Sequence, residues 1–95
     1  MRVAKSPTDP IFYDAYLIAD AIVYQQDQER RLQLAIKRDG IMSNKAARLS
    51  NDIVRLSVLI KDRIAAWESN YSSTGTRWNE YLPDYRHYDR VVGKA

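Results

Sequence analysis

From Ile11 to Asp39 the chain contains no proline or glycine, and through this stretch side chains recur along one line at alternating steps of four and three. The series is Ile11, Ala15, Ile18, Ile22, Gln25, Glu29, Leu32 and Ile36. Such spacing keeps to one stripe of an α-helix, whereas a strand would repeat every second residue. Asp9 can cap the start, with Pro10 at the first helical position, where a missing N–H loses no bond. Lys37 and Arg38 suit the last turn and Gly40 suits the stop. The pattern predicts one helix over 10–39.

Asp39, Gly40, Ile41 and Met42 read as a short turn, and Ser43 as the cap of a second helix over 43–69. Its stripe is Ala46, Leu49, Ile53, Leu56, Ile60, Ile64 and Trp67. Two long helices joined by about four residues must run antiparallel. The fold class is therefore all-α, an antiparallel helical hairpin. Ala15 and Ala46 allow close approach, while Gln25 and Glu29 can set register.

The two ends of the hairpin differ. Residues 11–24 and 56–67, which meet at the open end, are apolar over more than one face, so they need a further layer. The turn end has a narrower stripe and suits a solvated arm. The tail over 70–95 supplies the layer. It reads as a loop to Thr76, then as a segment carrying Trp78, Tyr81, Leu82, Tyr85, Tyr88, Val91 and Val92, with a short helix near 83–92 between Pro83 and Gly93. The expectation is that it folds back over the open end; the alternative is a tail that orders only on a partner. All 95 residues form a single domain, with 1–9 as an N-terminal arm.

Charge is segregated. Residues 9–29 hold five acids and no base, whereas 30–55 hold seven bases (Arg30, Arg31, Lys37, Arg38, Lys45, Arg48 and Arg55) and two acids. Helix-dipole complementarity accounts for Lys37 and Arg38 at the end of a helix, but Lys45 and Arg48 stand where bases are mildly disfavoured. The result is a positive tip suited to phosphates or to an acidic protein surface, unless it is only a solvated face. In the tail, Trp78, Tyr81, Tyr85 and Tyr88 interleave with Arg77, Arg86 and Arg90. That composition can stack bases or anchor a protein interface, or simply cap a small core.

Catalysis finds little footing. His87 is the only histidine, and Asp84 with His87 offers at most two metal ligands. Glycines at 40, 75 and 93 form no phosphate loop. Asp14 and Asp20, six apart, do not share a face and are read as marking the solvent side. No metal site, cofactor or enzymatic activity is expected. The chain has no cysteine, which suits a reducing compartment, and the apolar run over 11–24 is too short for a membrane span. A cytoplasmic protein without membrane contact is expected.

In plan, a hairpin with charged outer faces is similar to small plasmid RNA-binding hairpins. A Tyr-containing amphipathic helix that ends at Gly40, a link holding Asn44 and a second amphipathic helix also resemble the helical part of small terminase subunits of tailed phages. That likeness covers about sixty residues. No N-terminal DNA-binding module like that of those proteins is expected in the residues before Asp9, and Lys45 stands where their linker has proline. Either likeness implies nucleic-acid binding, and no functional residue is carried over from them. The reading preferred on the residues is a non-catalytic helical protein that binds a larger protein assembly as inhibitor or adaptor, by analogy with compact mobile-element proteins. The excess apolar surface points to a homodimer that forms a four-helix bundle.

Overall fold

The computed structural model describes residues 9–71, 73 and 75–93; the arm before residue 9 lies outside them. Helix α1 spans Pro10–Asp39 and α2 spans Asn44–Tyr71. They run antiparallel with extensive mutual contact, so the all-α hairpin stands as expected. Among the described residues a 3₁₀ turn at Trp78–Tyr81 and a short α3 at Tyr88–Val92 follow, and the fold measures 51 × 24 × 24 Å.

Local chemistry sets the helix ends. Asp9 accepts from the Ile11 N–H at 3.2 Å and Pro10 opens α1. Gly40 donates its N–H to the Ile36 carbonyl at 2.9 Å with φ +91°, a conformation that a Cβ would strain. Ser43 then accepts from the Ala46 N–H at 3.1 Å and starts α2.

Every member of the α2 stripe is buried or half-buried. On α1 the seam departs from the expected line near the tip. Glu29 is exposed while Gln28 is 5% exposed, and Ala35 is buried where Ile36 is only half so. Through 22, 25, 28, 32 and 35, all buried or half-buried, the seam takes two successive steps of three, which moves the contact from Glu29 to Gln28 and leaves the carboxylate outward. Gln25 crosses the seam, donating from Nε2 to Ser57 Oγ at 2.7 Å and to the Ile53 carbonyl at 3.3 Å.

The main core sits at the open end. Phe12, Ala15, Ile18 and Ala19 of α1 pack with Trp67 of α2 and with Trp78, Tyr81 and Leu82 of the tail. Tyr81 meets Phe12 edge-on, centroids 5.1 Å apart, and lies 5.5 Å from Trp67. The Trp67 indole N–H donates to the Ile11 carbonyl at 3.1 Å, leaving that buried dipole satisfied.

Two tail boundaries differ from expectation. Helix α2 continues through Tyr71, whose hydroxyl donates to Asp14 and whose ring packs on Trp67. The helix expected near 83–92 forms only over Tyr88–Val92, and the residues before it bend through turns. So short a helix has little stability of its own, so side-chain docking decides the path. Tyr85 donates to Asp20 Oδ1, and Arg90 reaches Gln26 Oε1 at 3.0 Å and Asp27 Oδ1 at 3.1 Å. Asp20 is exposed, on the solvent side as expected, and Asp14 is half-buried; both also accept from tyrosines later in the chain.

Candidate functional site at the hairpin tip

The turn between α1 and α2 is too short to fold over itself, so its two large apolar residues stand in solvent. Ile41 is 71% exposed and Met42 91%. Lys37 and Arg38 precede them in the last turn of α1, and Lys45 follows in the first turn of α2. Beside this knob lies an open groove of about 480 Å³. Ala35 and Leu49, both buried, form its floor, Leu34 one wall, and Arg31, Lys37, Arg38 and Lys45 its cationic margin, with Asp39 as the single acid. An apolar floor ringed by cations can hold an anionic group and an apolar side chain together.

Four of the seven tip bases expected from sequence therefore share one groove. Arg30 is turned to Asp27 at 3.1 Å, sharing that carboxylate with Arg90. The Arg90 hydrogen bond holds Asp27 below the usual carboxylate range, with the charges of Arg90, Arg30 and His87 acting in the same direction. Arg48 is exposed on α2, and Arg55 lines a separate hollow with Tyr24, Asp52, Leu56 and Leu59.

The aromatic tail residues lie at the opposite end. Trp78 and Tyr81 are buried in the core, and Tyr85 and Tyr88 are half-buried along its edge. Tyr85 titrates far above an ordinary phenol because it is desolvated and donates to Asp20. Tyr71 is raised chiefly by its bond to Asp14, and Tyr16 by burial. His87 packs against the Tyr85 ring, centroids 6.2 Å apart. Among the described residues no three His, Cys, Asp or Glu side chains cluster to hold a metal ion. Among them, too, no helix is long and apolar enough to cross a membrane.

Sequence reading missed Ile41 and Met42. The signal was present: two large apolar residues in a turn of four, flanked by bases, have no neighbour able to cover them. Comparison with family models, curated protein sequences and solved structures gives no match for this chain.

Proposed function

We propose that this chain is a non-catalytic cytoplasmic interaction protein that docks on a larger protein assembly, as inhibitor or adaptor, through its hairpin tip. The observation that carries the reading is the exposure of Ile41 and Met42 beside Lys37, Arg38 and Lys45. Seating two such side chains in an apolar pocket contributes roughly 1.5–3 kcal/mol each when burial is complete. The surrounding cations favour a pocket with an acidic rim and speed encounter with it. A stiff two-helix arm carries the knob clear of the open-end core, so little conformational freedom is lost on docking.

The test is capture from a native extract with the intact chain and with the Ile41→Ser/Met42→Ser double variant, followed by affinity measurement on the purified partner. The double variant should keep its helical spectrum and lose at least about ten-fold in affinity. A partner held equally well by both chains would remove the tip from the reading.

A second reading, nucleic-acid binding, is favoured by the cationic margin of the groove. It requires affinity for generic duplex or single strands that falls steeply with salt and collapses when Arg38, Lys45 and Arg48 become Glu. Phosphate contacts do not need Ile41 or Met42, so the two sets of variants separate the readings.

A further inference from the structure

Three hollows lie between α1 and α2, lined by these two helices alone. From the tip they are the groove of about 480 Å³, a second of about 270 Å³ walled by Tyr24, Leu56 and Leu59, and a third of about 190 Å³ between Leu17 and Ala66. Their linings advance in step. On α1, Leu17, Tyr24, Arg31 and Arg38 follow one another at intervals of seven; on α2, so do Lys45, Asp52, Leu59 and Ala66. Seven-residue steps stay on one side of helices that supercoil together, so the hollows are stretches of one channel along the hairpin. The C-terminal segment fastens to α1 elsewhere, at Phe12, Tyr16, Asp20, Gln26 and Asp27.

The middle hollow is walled by Tyr24, Leu56 and Leu59 with Asp52 and Arg55 beside them, and the hairpin as a whole has a lengthwise charge gradient. Tyr24, 55% exposed, and Leu59, 40% exposed, lie near the midpoints of Pro10–Asp39 and Asn44–Tyr71. The tip half of the hairpin, 25–57, carries seven bases and four acids, a net of +3. The open-end half of the two helices, 9–24 with 58–71, carries five acids and two bases, a net of −3.

We infer that a second copy of this chain occupies the channel, antiparallel to the first, about a two-fold axis passing beside Tyr24 and Leu59. The product is a four-helix bundle with α1 facing α1 and α2 facing α2. A two-fold contact presents each surface to its own image. Here Tyr24 and Leu59 meet their own images, and the net-positive half of each hairpin lies along the net-negative half of the other. A parallel pairing would set basic half beside basic half, which like charges oppose. The match of Tyr24 and Leu59 to the molecular midpoint is what distinguishes a second copy from a foreign helix, which has no reason to be centred there. The two tips then point away from each other at opposite ends of the bundle. If the tip docks as proposed above, a consequence that rests on that reading, the dimer engages two sites at once.

Sedimentation equilibrium of the full chain tests the pairing. At low salt it should dimerise with a Kd tighter than about 100 μM, and association should weaken at about 1 M salt, where charges are screened within about 3 Å. Tyr24→Glu and Leu59→Glu, both at exposed positions, should each weaken it by at least about ten-fold with the helical spectrum kept. Because the chain has no cysteine, single cysteines report orientation cleanly. Tyr24→Cys should cross-link to itself on oxidation, and Leu17→Cys should cross-link to Arg31→Cys when the two variants are mixed. A monomer at about 100 μM, association indifferent to both Glu variants, or self-linking of Met42→Cys through adjacent tips would each overturn the inference. The Ile41→Ser/Met42→Ser variant should dimerise normally while losing its partner, so this inference and the docking reading fail independently.

Discussion

Tyr71 donates its hydroxyl to Asp14 Oδ2 at 2.7 Å, fastening the last turn of α2 to the second turn of α1. Neither residue is fully exposed, and the same tyrosine ring stacks at 5.0 Å on Trp67, so the bond closes the core at its edge. Tyr71→Phe keeps the ring and removes the bond. We expect a loss of about 1 kcal/mol. For a domain of this size that lowers Tm by about 4–8 °C. A thermal melt followed at the helical band checks it, and an unshifted Tm would mean that the bond contributes nothing.

Gly40 isolates backbone strain. Its φ is +91° and no atom lies within 4 Å of where a Cβ would stand, so Gly40→Ala meets no steric neighbour. The loss should be about 1–3 kcal/mol, all of it conformational, because φ +91° with ψ 158° lies in a region essentially open to glycine alone. A chemically synthesised chain with D-alanine at the same position should be as stable as the parent or more so. Urea midpoints for the two chains should therefore move in opposite directions.

Leu82 is fully buried although it belongs to an irregular segment. Leu82→Ala should remove about 2–5 kcal/mol. That is a large part of the roughly 5–15 kcal/mol available to a domain. Leu34→Ala, at a position 61% exposed, serves as the control and should change stability by no more than about 0.5 kcal/mol. Denaturant titration read by tryptophan fluorescence follows both, since Trp67 and Trp78 lie in the affected core.

Alkali should act through the phenols of Tyr85 and Tyr71, whose pKa values are raised by burial and by donation to Asp20 and Asp14. A raised folded pKa means that the native state holds its proton where the unfolded chain has lost it. The stabilisation is complete below the unfolded value near 10 and falls as pH climbs through the folded values. Tm should be level from neutral pH to about 9 and then decline. Tyr85→Phe should start lower and decline less steeply, and an identical slope in parent and variant would exclude Tyr85 as the source.

The hairpin was legible because period, caps and turn all act locally. Asp9, Pro10, Gly40 and Ser43 each reported a helix end through chemistry within four residues. The α2 stripe followed from spacing alone. What spacing did not give was the exchange of Glu29 for Gln28 in the seam, because steps of three and of four are both open to a single helix and its neighbour decides between them. The pairings Tyr71–Asp14 and Tyr85–Asp20 join residues more than fifty positions apart and leave no local signature. At the tip, the bases were evident from charge, but grouping Arg31, Lys37, Arg38 and Lys45 while sending Arg30 to Asp27 required the helix faces. Ile41 and Met42 were in view and were passed over as part of a turn.

The contact between Phe12 and Tyr81 has a temporal meaning. Tyr81 is synthesised nearly seventy residues after Phe12, so the first turns of α1 exist before the aromatic lid that covers them. Until then Phe12 lacks its edge-on partner, and the hairpin cannot become watertight before that segment is made. Contacts of such long separation slow folding in general.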